Sequence, residues 1–414
     1  MQHIKLRRAI GLTEKQCRRN KIAALPQILR KASGSMISVM ICSPDPSLAA
    51  AWDDLTRRAS SNVFMNPVAL HAACETRFAK VHMLLAWEEG AGSRKLVGVW
   101  ASLQQREVAP FWPALLEAPP YTYAFLSSPV VDPAYVPAVV PAFLAAVAQH
   151  PSLPNVISLR DLDAESPSHA AIVRALAAHG RAPLKLSESK RPFATRELGI
   201  KRSGSTRKKL RQDWNRLCAR GRVDVVNDRA PDQVRNAFEA FLALEFGSWK
   251  GAEGTAILCD NADAAFVRRL VGDLSQRRGA SVALLRVDGR AIAAQVVMFC
   301  GPTAYTWKTA FDSDYAKYSP GALLIEKVTE ELFATPGIEA IDSCSAEGGF
   351  MARLWTGRRT MVDLLIDVGA GKSVRFSLEA TRQRGYHRLR DLRNRLRAWS
   401  WTPQPKKVRV AASQ

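Results

Sequence analysis

The chain has no CxxC pair, no HxxxH and no HExxH, and its seven cysteines (Cys17, Cys42, Cys74, Cys218, Cys259, Cys300 and Cys344) stand singly. An odd, scattered set is a poor disulfide framework, and unclustered Cys and His disfavour a structural zinc site or a metallohydrolase. Free thiols point to a reducing compartment, so a cytoplasmic location is expected. No apolar run is long enough to cross a bilayer. The most apolar window, Tyr135 to Val147, is short and broken by Pro137 and Pro141. The start, Met1 to Lys31, lacks the apolar core of a secretory signal. It is Arg-rich and acid-poor like an organellar transit peptide, though also poor in Ser.

What is present is a globular composition, 47% hydrophobic and 23% charged over 414 residues, enough for two domains. The net charge of +21 is local. Residues 1–32, 201–222 and 372–409 together hold thirty Lys/Arg against four acids, leaving 29 against 34 elsewhere. The body is therefore mildly acidic. The basic segments are solvated tails or attract phosphate, acidic lipid or a polyanion.

Strand and helix patterns recur at an offset near 190 residues. In the first half Ile37 to Cys42, Val81 to Trp87, Leu96 to Leu103, Tyr121 to Phe125 and Val156 to Leu159 read as strands. Helices are expected over Ser47 to Arg58, from Asn66-Pro67, over Pro133 to Ala148 and over Ser168 to His179. In the second half Ser281 to Val287 and Ala291 to Phe299 flank Asp288-Gly289, a hairpin signal. Ala304 to Phe311, a helix over Pro320 to Phe333, Ile338 to Ile341 and Met361 to Ile366 follow. The expected fold is α/β, with two tandem lobes, each a mixed, mostly antiparallel sheet flanked by helices. The expected divisions are a flexible basic extension at 1–35, lobes at 36–200 and 201–371, and a basic helix and tail at 372–414. The Ser/Lys/Arg-rich stretch Lys185 to Ser205 reads as the join. A basic helix then carries Leu210, Trp214 and Leu217 on one stripe, with Gly221 as its stop.

Three segments of the second half carry the candidate chemistry. Ser319-Pro320-Gly321 lies where a strand passes through a polar loop into a helix, and such a helix start is a natural anion site. By itself it reads first as a simple capped helix start, and its surroundings make the case for a site. On the preceding strand, alternation places Trp307, Thr309 and Phe311 on one face and Lys308, Ala310 and Asp312 on the other. Upstream, Glu245 to Thr255 ends a helix in a loop with three glycines, where Trp249 binds a ligand or lids the core.

Glu245, Trp249-Lys250-Gly251, Gly254-Thr255-Ala256, Trp307-Lys308, Ala310-Phe311-Asp312 and Ser319-Pro320-Gly321 together resemble the CelD-like branch of the GNAT superfamily of acyltransferases. Trp52, Leu55, Asn62, Phe64, Pro67 and the Arg207-Lys208-Leu210 helix add to the resemblance, which spans roughly Val39 to Asp367. It implies paired GNAT-like lobes and N-acyl transfer from an acyl thioester, on coenzyme A or an acyl carrier protein, to an amine on an amino sugar, amino acid or polysaccharide precursor. The donor's pyrophosphate would then lie on Lys317, Ser319, Pro320, Gly321 and Ala322. Trp249, Lys250, Trp307 and Lys308 would line the substrate. Many relatives carry a Lys near the position of Met351, and its absence here leaves the general base open among Glu245, Asp312 and Glu347, Glu245 first. Tyr318 either donates to the leaving thiolate or packs.

A Fem-type transferase using aminoacyl-tRNA is a close variant, with helix 205–220 on RNA phosphates, though the long helical arm of that type is not visible. The competing class is a non-catalytic polyanion binder using Arg382 to Arg397 with Tyr386, Trp399 and Trp401. Against it, Leu389, Leu392 and Leu396 form the stripe of a helix docking on its own domain, and nucleic acid is not the expected partner. Peripheral membrane contact stays open.

Overall fold

The computed structural model of the chain describes residues 27–30, 36–90, 94–104, 114–201, 203–371 and 373–400. The first half runs β1 (Gln27–Arg30), β2 (Met36–Cys42), α1 (Ala49–Thr56), α2 (Pro67–Glu75), β3 (Val81–Glu89), β4 (Arg94–Gln104), β5 (Leu116–Ala118), β6 (Val130–Val131), α3 (Val136–Gln149), β7 (Val156–Asp163), α4 (Pro167–Ala177) and β8 (Leu184–Thr195). The second continues with α5 (Ser205–Cys218), β9 (Val223–Val226), α6 (Pro231–Phe246), α7 (Trp249–Ala252), α8 (Asn261–Ser275), β10 (Ala280–Val287), β11 (Arg290–Cys300) and β12 (Thr303–Phe311). It closes with α9 (Pro320–Ala334), β13 (Ala340–Asp342), α10 (Met351–Leu354), β14 (Arg358–Asp367) and α11 (Val374–Ser400).

All the described strands join one mostly antiparallel sheet flanked by helices, in the order β1-β2-β3-β4-β5-β7-β14-β8-β13-β12-β11-β10-β9, with β6 on β4. Each half repeats one scheme: an antiparallel run ending in a strand parallel to the next, β5 beside β7 and β12 beside β13. The Asp288-Gly289 turn of the β10–β11 hairpin has φ of +48° and +81°, as a tight two-residue loop requires. Gly221 lies against that turn rather than at the helix stop, since α5 already ends at Cys218. A Cβ on Gly221 would come within 2.2 Å of the Asp288 carboxylate, which accepts from Arg222 N–H at 2.8 Å.

The two halves meet by exchanging strands. β14, from the end of the second half, pairs with β7 of the first, and β8 pairs with β13 of the second. The stretch expected as a polar join is thus a central strand. Its Ser, Lys and Arg side chains leave one part of it exposed, while its backbone bonds to β14 along nearly its whole length. Burying polar backbone, not apolar side chains, sets this strand, so composition hid it. The larger apolar core also crosses the join: Phe64 meets Tyr121 and Tyr305 edge-on, and Tyr121 meets Phe266.

Three further expectations differ. Tyr121 to Phe125 is not a strand; β5 takes that place nearer the N-terminus. Pro119 and Pro120 lack N–H donors just ahead of it, and the segment is held instead by burial of Tyr121, Ala124 and Leu126. Within the expected extension, Gln27–Arg30 adds an edge strand to β2, while residues 1–26 and 31–35 lie outside the described residues. The α11 stripe does not dock: Leu389 is 68% and Leu392 54% exposed, while Phe376 and Ala380, a third of a turn or more away, face the sheet. The side chain of Leu396 lies outside the described residues.

Candidate active site

The turn into α9 begins at Asp312. One carboxylate oxygen accepts from Asp314 N–H at 3.0 Å and the other pairs with Arg290 at 2.6 Å, so Asp312 serves as a cap. A 3-10 turn over Ser313–Tyr318 leads to Ser319 in the left-handed region, φ +52° and ψ +47°. The Ser319 carbonyl accepts from Ala322 and Leu323. Pro320 has no N–H, and that of Gly321 has no partner among the described residues. An unpaired donor therefore opens a 15-residue helix at the positive end of its dipole.

Cations surround this turn. Lys209 of α5 donates to the Ser319 hydroxyl at 3.1 Å and pairs with Asp213. Arg216 and Lys317 lie 5.4 and 5.3 Å from the Tyr318 ring centroid, and Tyr318 is itself buried. Ala322 follows on the first turn of α9. Gly321 faces the end of β12: a Cβ there would meet Phe311 at 3.4 Å and Thr309 at 3.5 Å.

β12 does not alternate as the sequence suggests. Its register on β11 slips, so that Lys308 opposes Val296 but Thr306 opposes Val297, leaving Trp307 as an extra residue. Trp307 consequently joins the core cluster that holds Ala310, while Thr309, on the other face, bonds to buried Gln295. Trp307 donates to the Tyr123 carbonyl at 2.8 Å, an anchor between the halves.

Lys308 lies in a polar nest against the same segment. Its Nζ is 4.5 Å from the Tyr123 ring centroid. Burial pushes its pKa down to about 8; Glu245 and Asp263 raise it and Lys250 lowers it further. Glu245, 2% exposed at the end of α6, accepts from Lys250 Nζ at 2.8 Å on one oxygen and from Ile257 N–H at 3.0 Å on the other. The hairpin bend that allows this needs Gly251, because a Cβ there would fall 1.8 Å from the Phe246 carbonyl oxygen. Beside it Trp249 is 62% exposed, so it does not lid the core.

The fold therefore gathers Glu245, Lys250 and Lys308, and adds Tyr123 and Asp263, joined by a 2.6 Å hydrogen bond. Asp263 reads in sequence as a first-turn helix acid, and Tyr123 belongs to the other half, so neither stood out. Among the described residues no hydrogen bond or ion pair joins Asp312 or Glu347 to this group; Glu347 lies 3.9 Å from Arg358. Among the described residues no group of His, Cys, Asp and Glu could hold a metal ion, and no helix is long and apolar enough to cross a membrane. A surface hollow of about 470 Å³ between Arg196–Ile200 and the later turns of α9 contains none of these residues.

Residues 204–349 match the family described as acetyltransferase (GNAT) domain. No protein of curated function is similar enough in sequence to be matched. Among solved structures, FemX is similar with a TM-score of 0.54 at 12% identity, covering 77% of this chain and 96% of its own. L-PGS from Bacillus licheniformis gives 0.51 at 11%, covering 83% and 97%. A conserved protein of unknown function from Bacteroides thetaiotaomicron gives 0.51 at 12%, covering 79% and 99%. These likenesses establish the fold. The match over residues 204–349, less than half of the chain, is to a GNAT acetyltransferase domain and supports an N-acyltransferase.

Proposed function

We propose that the lobe at 201–371 transfers an acyl group from coenzyme A to an amine, with Ser319-Pro320-Gly321 holding the donor's pyrophosphate. The observation that carries this is the unpaired Gly321 N–H at the start of α9, ringed by Lys209, Arg216 and Lys317. The missing Cβ at Gly321 leaves open the space between the start of α9 and the end of β12, where Phe311 and Thr309 face it. In the transfer the amine nitrogen bonds to the thioester carbonyl carbon, the C–S bond breaks, the amine loses a proton and the thiolate gains one. Both oxygens of Glu245 are engaged, so Glu245 fits a positioning role. Lys308, neutral in part near pH 8, takes the proton. Tyr318 stays with the packing of the turn, and exposed Trp249 with Lys250 forms the rim on which an acceptor rests. The residue set fits the CelD-like branch, and thiols rather than disulfides at the described cysteines fit a reducing, cytoplasmic setting.

A second reading is an aminoacyl-tRNA donor of the Fem type, favoured by the basic α5 lying against the donor turn. An acyl carrier protein would present the same thioester and phosphate. Calorimetric titration decides among them. Wild type is expected to bind coenzyme A, Lys317→Ala to bind it modestly less well, and folded Gly321→Val to lose binding. Undiminished affinity in a folded Gly321→Val protein moves the site elsewhere. Binding of charged tRNA or of an acyl carrier protein, without coenzyme A, selects another donor.

A further inference from the structure

α11 turns its apolar side away from the protein. Phe376, Glu379 and Ala380 face inward, with Ala380 packed among Leu115, Val156 and Leu365. Val374 (75% exposed), Leu378 (45%), Leu389 (68%) and Leu392 (54%) face outward. At about 100° per residue these four fall within an arc of about 60°. Exposed arginines border it on both sides, Arg384 and Arg388 on one, Arg375 and Arg382 on the other. Between residues 374 and 400 there are eight arginines and two acids.

We propose that α11 is a peripheral anchor that lays this face into the surface of an anionic phospholipid bilayer. An apolar stripe between rows of arginine fits a plane where acyl chains end and phosphates begin. In that setting the stems of Arg375, Arg384 and Arg388 lie beside the leucines with their heads at the headgroups, while Arg382 stays paired with buried Glu379. A second copy of the helix fits poorly, because its charge would repel itself and no apolar knob lies on the seam between Leu378 and Leu389. RNA would engage the arginines yet leave the leucines in water.

The test is co-sedimentation of the full chain with vesicles of equal phosphatidylglycerol and phosphatidylcholine, against phosphatidylcholine alone. Wild type is expected on the anionic vesicles only. Leu389→Ser with Leu392→Ser is expected to lower partitioning at least tenfold at an unchanged melting temperature, since both side chains are already exposed. Arg384→Gln with Arg388→Gln is expected to lower it by about 25-fold, each arginine near the surface being worth about fivefold. Equal binding to neutral vesicles, or unchanged binding by the leucine pair variant, overturns the proposal. So does a lipid-free dimer that the leucine pair variant abolishes, or RNA binding that displaces the protein from vesicles and ignores the leucines.

Discussion

Glu245 and Lys250 form a hook: the Lys250 ammonium lies 2.8 Å from one Glu245 oxygen, five residues back along the chain, while the other oxygen accepts from Ile257 N–H. This single carboxylate ties the end of α6 to the loop after α7 and sets its charge beside Lys308. Glu245→Gln keeps the shape but removes the charge. Its turnover in amine acylation is expected to fall about tenfold or more, with the donor KM unchanged. The limb of the pH–rate profile assigned to Lys308 should move to lower pH, because Glu245 raises that pKa. An unmoved limb would separate Glu245 from Lys308.

Lys308 itself gives a stability test. Its folded pKa, about 8, lies below the 10.5 of an unperturbed lysine, so the unfolded chain binds more protons between these values. Stability carried by this group should therefore rise as pH climbs from about 8 to 10.5, and its burial costs most below pH 8. Lys308→Met is expected to stabilise the protein at pH 7 by about 1–3 kcal/mol and to flatten that rise. Urea unfolding at pH 7 and pH 10 measures both, and activity in the same variant should be lost.

Arg191 holds the exchanged strands together. It pairs with Asp161 at 2.8 Å and Asp342 at 3.6 Å, and donates to the Phe125 carbonyl at 2.6 Å. Arg191→Ala leaves buried Asp342 short of a partner beside partly exposed Asp161, at a cost toward the low end of about 3–5 kcal/mol, because Arg359 still pairs with Asp342 at 3.0 Å. Chemical denaturation of the variant checks the figure.

Removal of residues 1–26 should leave the melting temperature unchanged, whereas removal of 1–35 also strips β1 from β2 and should lower it by a few degrees. Scanning calorimetry of the two truncations distinguishes them. An equal, large loss in both would give the first 26 residues a structural role.

Among the described residues no group of His, Cys, Asp and Glu could hold a metal ion, and the proposed acyl transfer is expected to survive EDTA. Loss with EDTA and recovery on adding a divalent ion would overturn the metal-free chemistry.

Local order was legible in the sequence wherever a residue's neighbours along the chain decide its state. Asp288-Gly289 determined a tight turn through the backbone freedom of its residues, and Pro320 determined a helix start because it has no N–H to lose. Apolar runs bounded by turns determined β3, β4, β10 and β11, and the charge count located the excess of basic residues in three segments of the chain. Tertiary structure alone decided the rest. Trp307 took its face from a slip in register against β11, and Lys185 to Thr195 became a central strand because β14 satisfied its backbone. Tyr123 came to lie over Lys308 because the sheet brings the two halves together. The stripe of Leu389 and Leu392 was plain in the sequence, but its direction was not. Helical spacing groups side chains on one side, and only packing of Ala380 and its neighbours against the sheet chooses which side meets the protein.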